Sequence, residues 1–517
     1  MPLSDVQNNI LGFFPGRQST VFPGAPPDIL YPGDPGTPNK ALVYPDYNNF
    51  APRLGFAWDM LGNSKIVMRG GFGIFYDIED GALNLQFGGQ PPFGYVSNNF
   101  PNSYAGVVGD TPGTGPVADP FTALQLTNPF PFTFTGAFLT PKISFAYTTF
   151  PHFRTPYSEN FNYGFQWQAT ANTMVEAVYV GSLGRKLISS GETNFPVPSV
   201  MQQQLTNFGS TNPECARPLA ACVDFIGGPV LSGPESDPNA FPTGAQQLLT
   251  NFSNGLSDSH EFQLTVDKRF SKGFIFRAAY TLSKTIDLTS GFRARSSEYT
   301  DPLDYRLDRA LADFDTPQRL VISGSWELPF AHGVENGILK TILGGWQFNA
   351  IASYQKGNPF GLFSNNNSSQ QNQNPDLSRP NVIGPVQYEN PRNGQQFFSA
   401  NAANCISSAA ADTNGNVTGT FWFNPTSYDC VNVPLFSFGD APRNFLRGPG
   451  INNYDLSIVK KTKVTESKSV EFRAEFFNAF NHAQFLNPDT SGGSGTFGQI
   501  TTDRNPRLIQ FGLKFYF

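Results

Sequence analysis

The densest group of ionisable side chains in this sequence is a set of aspartates just beyond its midpoint. Carboxylate oxygens at such density could hold Ca²⁺, but their spacing matches no known calcium-binding loop. We therefore expect solvated loop carboxylates that pair with nearby guanidinium groups, and no stabilisation by calcium. The aspartates are Asp301, Asp304, Asp308, Asp313 and Asp315, and the expected partners are Arg306, Arg309 and Arg319.

Residues that could catalyse a reaction or hold a metal or a cofactor are scattered. His260-Glu261 opens like a zinc-protease helix, but position 264 is Leu and the segment alternates like a strand. The other histidines are dispersed, at positions 152, 332 and 482. The sequence contains no Gly-Lys-Ser/Thr phosphate loop and no Gly-x-Ser-x-Gly elbow. We therefore expect no enzyme, no cofactor and no metal site.

The four cysteines fall into two local pairs, Cys215 with Cys222 and Cys405 with Cys430. Both pairs lie in Pro-, Asn- and Ser-rich stretches that have no strand pattern. The even number and the local pairing indicate two disulfides that close loops in an oxidising compartment. Four unlinked thiols remain the alternative, because spacing alone does not fix the connectivity.

The composition is typical of a β protein with long irregular connections. Gly and Pro, at 50 and 43 of 517 residues, are too frequent for a mainly helical chain, and 14% aromatic residues are too many for a disordered one. The formal net charge of −6 leaves no broad cationic surface, so nucleic-acid binding is disfavoured. No run reaches the roughly 18 apolar residues of a membrane-spanning helix.

Apolar and polar residues alternate through eleven segments, and each predicts a strand with one apolar and one polar face. Most segments exceed the usual length of about five or six residues. They fit the roughly 9–11 residues with which a tilted strand crosses a bilayer. The segments are 50–59, 64–77, 157–170, 173–189, 259–270, 273–287, 316–329, 343–356, 452–463, 468–480 and 506–517.

Short turns and long loops connect these segments alternately, and every long loop follows a strand that began with a short turn. In a closed up-and-down barrel this places all short turns on one rim and all long loops on the other. Outer-membrane barrels have this asymmetry, with short periplasmic turns and long extracellular loops. A soluble antiparallel β-sandwich also alternates and remains an alternative. The long loops are 78–156, 190–258, 288–315, 357–451 and 481–505.

Position in such a barrel gives several residues an expected role. Charged strand residues should face the lumen and pair across strands, since charge on the lipid side is costly. Aromatic residues at strand ends could form interfacial girdles, and loop aromatics could contact a solute. The lumen candidates are Arg277, Glu471, Arg473 and Glu475, the loop candidates are Phe93, Tyr95, Phe421 and Trp422, and the girdle candidates are Trp58, Tyr76, Trp326, Trp346 and Tyr354.

The C-terminal segment alternates up to the last residue, which is aromatic and lies on the apolar face. This pattern resembles the final strand that the outer-membrane assembly machinery recognises in bacterial barrels. The resemblance assigns an assembly signal to Phe511, Leu513, Phe515 and Phe517.

Eight stretches together resemble the barrel of TonB-dependent outer-membrane receptors, in particular the Oar-like group. Each stretch alone is a weak signal, but jointly they cover the chain from about residue 49 to its end. They are 49–59 (NFAPRLGFAWD), 69–77 (RGGFGIFYD), 178–187 (VYVGSLGRKL), 268–287 (KRFSKGFIFRAAYTLSKTID), 313–330 (DFDTPQRLVISGSWELPF), 443–456 (RNFLRGPGINNYDL), 472–482 (FRAEFFNAFNH) and 507–517 (RLIQFGLKFYF).

The resemblance implies an all-β, antiparallel up-and-down transmembrane barrel of 22 strands, filled by an N-terminal plug and energised through TonB. By that comparison the segments above are about 11 of 22 strands, residues 49–517 are a barrel portion, and 1–48 is a Pro/Gly-rich loop of a longer parent. The sequence opens without a signal peptide, plug or TonB-contacting segment, so we expect a truncated or partial frame. The implied partners are outer-membrane lipid, the barrel assembly machinery and, through the N-terminal part, TonB.

The leading functional hypothesis is therefore import of a bulky solute (an oligosaccharide, peptide or chelate) across the bacterial outer membrane. No residue identifies that solute. A passive pore or an adhesin built on the same barrel is the first alternative. A soluble secreted β-sandwich binding module is the second.

Overall fold

The computed structural model of this chain describes residues 11–25, 27–38, 42–77, 142–208, 220–223, 230–231, 241–291, 299–301, 304–364, 378–398, 405–434 and 437–517. Its main feature is an antiparallel meander of eleven long strands. In chain order they are β1 (Arg53–Asp59), β2 (Ile66–Tyr76), β3 (Tyr157–Thr170), β4 (Thr173–Glu192), β5 (Phe241–Ser271), β6 (Phe274–Asp287), β7 (Gln318–Glu327), β8 (Trp346–Gln355), β9 (Ile451–Lys463), β10 (Ser469–Phe477) and β11 (Leu508–Tyr516).

Each strand of the meander pairs with the next one along the chain, from β1 through to β11. All eleven predicted segments form strands, and β3 has the expected bounds. The largest difference is at β5, which begins at Phe241 rather than at residue 259. Among the described residues no pairing joins β1 to β11, so the sheet is open.

One face of the sheet is apolar along its whole width, and the described residues form no second layer over it. The register aligns the alternating apolar residues of neighbouring strands, for example Leu320 beside Tyr280 and Tyr354. Large side chains on this face are 38% to 73% exposed, which contradicts the dry interior of a soluble β-sandwich. They are Leu54, Phe56, Trp58, Phe72, Tyr163, Phe165, Trp167, Tyr179, Phe262, Leu282, Ile322, Trp326, Ile458, Phe472, Phe511, Leu513 and Phe515.

The short-turn end of the sheet follows the prediction, with one addition. Lys272 and Gly273 have φ of 53° and 77°, the mirror-image turn that two-residue hairpins favour. The connection from β7 to β8 contains helix α2 (Gly337–Leu343), which the sequence did not predict, so Leu343 is helical rather than the first residue of the strand segment 343–356. The other described α-helix is α1 (Pro198–Phe208), which follows β4. Neither is long and apolar enough to cross a membrane.

The long-loop end contains more regular structure than the sequence predicts. Loop 78–156 includes a strand, Lys142–Thr149, which pairs in parallel with the first part of β5. Chain segments before β1 also pack at this end, because Leu11, Ile29 and Tyr31 form a buried cluster with Leu248 of β5. The part of loop 78–156 that forms this strand was therefore not predicted, since the strand pairs with residues 102 positions later and leaves no local periodicity.

Further short elements complete the described part of the long-loop end. The two-residue and four-residue strands are Gly12–Phe13, Ile29–Leu30, Ala220–Val223, Val230–Leu231, Ala310–Leu311, Pro359–Phe360, Asn381–Val382, Gln395–Phe398, Asn416–Gly419, Tyr428–Asp429 and Leu446–Arg447. The 3₁₀ turns are Tyr305–Asp308, Ser408–Ala410 and Pro425–Ser427.

Candidate functional site

The loops after β8 and β10 fold into one unit around an aromatic core, which we call the loop core. Phe423 packs edge-to-face on Tyr428 and on Phe497, with ring centroids 5.6 and 5.5 Å apart. A disulfide joins Cys405 and Cys430 inside this core, with the two Cα atoms 4.9 Å apart. The buried members are Phe360, Leu362, Cys405, Ile406, Val417, Phe421, Phe423, Tyr428, Cys430, Leu446 and Phe497.

The structure of the loop core shows that Phe421 is not a solute contact, and that Trp422 has a structural hydrogen bond. Phe421 is 0% exposed and packs edge-to-face on Phe397, so it is a core residue and cannot touch a solute. Trp422 is half-buried beside it, and its indole Nε1 donates to the carbonyl oxygen of Arg447 at 2.7 Å. Sequence alone could not separate these roles, because an aromatic residue that builds a folded loop looks the same as one exposed on it.

A network of arginines and aspartates joins the loop before β7 to the loop core. Arg379 contacts the Asp308 carboxylate at 2.5 Å and the Thr300 hydroxyl at 2.6 Å. Two further arginines make equivalent bridges, with distances of 2.5 to 3.2 Å. These are Arg443 to Asp287 and Asp313, and Arg447 to Asp315.

The network corrects the expected pairing of these aspartates. Asp308 and Asp315 are only 3% and 1% exposed, so they are not solvated loop carboxylates. Of the expected pairs Arg306 does bind Asp304, but Arg309 binds Asp258, and the arginines that bind Asp308, Asp313 and Asp315 lie 71 to 132 residues away. Within the described ranges no three His, Cys, Asp or Glu side chains are grouped so that they could hold a metal ion.

Burial dominates the electrostatics of the Asp308–Arg379 pair. Desolvation raises the pKa of the Asp308 carboxyl above its usual range, although Arg379 and Thr300 act in the opposite direction. Desolvation likewise lowers the pKa of Arg379, while its contact with Asp308 opposes that change. Each charge is therefore tolerated because the other one is present.

A polar cavity of about 730 Å³ opens on the other face of the sheet, at the ends of β7 to β11 next to the long loops. Its walls carry amide, hydroxyl and charged groups, with a few apolar ones. They come from Arg319, Ser353, Gln355, Ile451, Asn453, Asp455, Phe477, Asn478, Gln484, Arg504, Asn505, Pro506 and Leu508.

Hydrogen bonds hold Asp455 in the wall of this cavity, and two arginine side chains of the wall remain available to bind a ligand. Asp455 accepts from the backbone N–H of Asn478 at 2.9 Å and from the Asn453 amide at 3.0 Å. Arg319 and Arg504 are exposed, and within the described part of the chain neither guanidinium forms an ion pair. Arg319 was expected to pair with the loop aspartates, but it lines the cavity instead because its side chain lies on the polar face of β7. No local pattern marks Arg504 as a cavity residue.

Charged residues on the polar face pair with each other. Arg277 of β6 contacts Asp267 of β5 at 3.6 Å, across strands as expected. Arg473 instead binds Glu471 at 2.6 Å and Glu475 at 3.8 Å, both on its own strand β10. Residues two apart share a face of a strand, and the extended Arg side chain can reach along it.

The remaining predicted site residues either lie outside the described part of the chain or are exposed on the apolar face. Phe93, Tyr95 and Cys215 lie outside the described residues, and so does the side chain of Cys222. Phe511, Leu513 and Phe515 are exposed on the apolar face of the edge strand β11, and Phe517 after it is 99% exposed. They remain available as an assembly signal.

The family model of the outer membrane beta barrel domain matches residues 1–510, nearly the whole chain. The chain belongs to this family. Its location is therefore the bacterial outer membrane. The exposed apolar face is the lipid-facing surface, and the polar face with the cavity is turned to the interior of the barrel.

Solved structures with a similar outline include two bacterial proteins, each 9% identical to this chain. The outer membrane transporter YddB from Escherichia coli aligns over 90% of this chain and 40% of its own, with a TM-score of 0.42. The siderophore receptor PirA from Acinetobacter baumannii aligns over 90% and 41%, with a TM-score of 0.37. The chain thus spans about 40% of the length of these proteins. No curated protein matches it.

Proposed function

We propose that this chain is the barrel portion of a TonB-dependent transporter of the Oar-like group, which imports a bulky solute and catalyses no reaction. The observation that supports this proposal is the polar cavity on the interior face, next to the long loops. It lies where a solute that enters past the loops first meets the barrel wall. In this proposal, coupling to TonB is carried by a plug and a TonB-contacting segment in a longer parent.

The chemistry of the cavity favours a solute that carries carboxylates. The Arg319 and Arg504 guanidinium groups can each bind a carboxylate with two parallel hydrogen bonds. Amide groups of Gln355, Asn453 and Asn505 around them suit hydroxyl and amide groups of the same solute. Acidic oligosaccharides and peptides both have this combination, and a neutral sugar of equal size lacks the part that the arginines recognise.

Binding of trigalacturonate and of neutral maltotriose to the full chain in detergent micelles tests this proposal. We expect trigalacturonate to bind more tightly than maltotriose, and Arg319→Gln with Arg504→Gln to remove the difference. The matched control is Arg306→Gln, a loop arginine outside the cavity, which should bind like the unmodified chain. Equal binding of both sugars, or no effect of the double substitution, would contradict the proposed solute class.

An uptake assay distinguishes a passive pore from a transporter. It uses cells that produce this chain together with the plug region of the proposed parent. Transport energised through TonB predicts that uptake of the bound solute is lost when TonB is absent. Uptake that continues without TonB would instead favour the pore.

A further inference from the structure

The second described helix, α2, has well-defined ends although it is short. The Asn336 side chain caps its start by accepting hydrogen bonds from the backbone N–H groups of Ile338 and Leu339, at 3.0 and 3.1 Å. At its end Gly345 has φ of 70°, and a Cβ atom there would lie 2.1 Å from the carbonyl oxygen of Lys461. Only glycine fits that approach, so the chain after α2 lies directly against β9.

Two side chains of the lipid-facing surface hold the C-terminal end of α2. Trp346 of β8 and Lys460 of β9 are directly opposite each other in register, on the same face as Phe348 and Ile458. The Trp346 indole Nε1 donates to the carbonyl oxygen of Ile342 at 3.0 Å. The Lys460 ammonium donates to the carbonyl oxygens of Thr341, at 2.7 Å, and of Gly344. The end of α2 therefore contacts the outside of the barrel wall.

The apolar side chains of α2 are exposed. Ile338, Leu339, Ile342 and Leu343 are 76%, 49%, 57% and 36% exposed. Their spacing places them on one side of the helix, while Lys340 and Thr341 lie on the other. Phe330, just after β7, adds a side chain that is 58% exposed. An amphipathic helix with an uncovered apolar side, joined to a lipid-facing surface, has the features of an interfacial membrane helix.

The position of α2 along the membrane normal also places it at the boundary of the lipid layer. Trp346 and Tyr354 lie near the two ends of the lipid-facing side of β8, eight residues apart. At about 3.3 Å per residue and a tilt of about 40°, they are separated by about 20 Å along the membrane normal, close to the apolar band of about 25 Å in such barrels. Trp346 therefore lies near the periplasmic boundary of the hydrocarbon layer, and α2 lies beside it.

We propose that α2 is a membrane anchor that lies in the periplasmic leaflet of the outer membrane, with its apolar side in the acyl boundary and Lys340 towards the phosphate groups. Continuity with the lipid-facing surface at Trp346 and Lys460 commits the helix to lipid rather than to a protein. The helix carbonyls also satisfy Lys460, a cation that would otherwise be costly on the lipid side. This inference rests on the lipid-facing surface and is independent of the proposed solute.

Spin labels on single introduced cysteines test the proposal in the full chain, in vesicles of phosphatidylethanolamine and phosphatidylglycerol. The measurement compares accessibility to oxygen, which concentrates in lipid, with accessibility to a water-soluble nickel complex. Phe511→Cys on the lipid-facing surface should report lipid, and Glu335→Cys just before α2 should report water. Ile338→Cys and Ile342→Cys should give values between these two, which corresponds to about 5–10 Å of insertion.

The outcomes distinguish this proposal from its alternatives. If Phe511→Cys reports lipid while both α2 positions match Glu335→Cys, the helix lies in water and the proposal fails. Low accessibility to both reagents at the α2 positions would show a protein contact there and would also refute it. If Phe511→Cys itself reports water, the lipid-facing surface is wrong, and the membrane location fails together with the anchor. As a second readout, replacing Ile338 and Ile342 by Ser should remove the intermediate signal at Leu343→Cys.

Discussion

The most informative perturbation of the long-loop end is Arg379→Ala, because it leaves a buried carboxylate without its partner. The Asp308 residue is 3% exposed, and its carboxylate lies 2.5 Å from the Arg379 guanidinium. Removal of one member of such a pair costs about 3–5 kcal/mol, mainly because the remaining charge stays buried. We therefore expect the contact of residues 299–301 and 304–308 with residues 378–382 to open much more often, while the sheet remains intact.

Hydrogen exchange followed by mass spectrometry measures this opening segment by segment. A cost of 3–5 kcal/mol predicts exchange about 10²–10⁴ times faster in both segments, and no change in peptides from β6 to β8. The matched control is Arg306→Ala, because Arg306 binds Asp304 on the exposed side of the same loop and should matter little. Replacing Asp308 by Leu and Arg379 by Met together should restore most of the protection, since no charge then remains buried.

The pH dependence provides a second test of the same reasoning. The folded-state pKa of Asp308 is raised, so its contribution to stability is present below the unfolded-state pKa and is lost as pH rises through the folded-state value. Without Arg379 the pKa should rise further, and the cost of Arg379→Ala should shrink as pH falls towards the ordinary aspartate range. Equal exchange in Arg379→Ala and Arg306→Ala, or a cost that does not change with pH, would refute this account.

Two further predictions concern other parts of the long-loop end. Asp34 accepts hydrogen bonds from Ser19 and from the backbone N–H groups of Thr20, Val21 and Tyr31, which lower its pKa despite burial. Protection of residues 19–25 and 27–34 should therefore persist above the ordinary aspartate pKa, disappear as pH falls through the lowered value, and be weakened at neutral pH by Asp34→Asn. The Cys405–Cys430 disulfide closes a loop with a sequence separation of 25, so replacing both cysteines by Ser should cost the loop core about 3–4 kcal/mol. Limited proteolysis should then cut within 405–434 first, and cleavage unchanged from that of the disulfide-bonded chain would contradict this.

The strands could be predicted from sequence because the information that specifies them is local. A strand with one face in lipid and one in a polar interior must alternate at every residue, and a window of ten residues contains that signal. β3 illustrates this, since both of its bounds are as predicted. β5 illustrates the limit, since its first part pairs with Lys142–Thr149, about 100 residues earlier, and continues beyond the alternating region.

The contacts that build the candidate site join residues far apart in sequence, and no local pattern predicts such contacts. Five aspartates near residue 308 suggested charge pairing, but the choice of Arg379, Arg443 and Arg447 follows from loops that meet only in the folded chain. Arg504 illustrates the same limit, because an arginine in a loop gives no sign that it will face a cavity. The short helix α2 was missed because one flanking Asn and two glycines define it, rather than a repeated pattern.

The segment between β10 and β11 has two sides with different neighbours. Gln484 and Arg504 form part of the cavity wall, whereas Phe497, between them in sequence, is fixed in the loop core among Phe421 and Phe423. Gly492 lies so close to the disulfide that a Cβ atom would be 2.7 Å from the Cys430 sulfur. A substitution that displaces the loop core is therefore expected to displace this wall of the cavity as well, although the two lie on different sides of the segment.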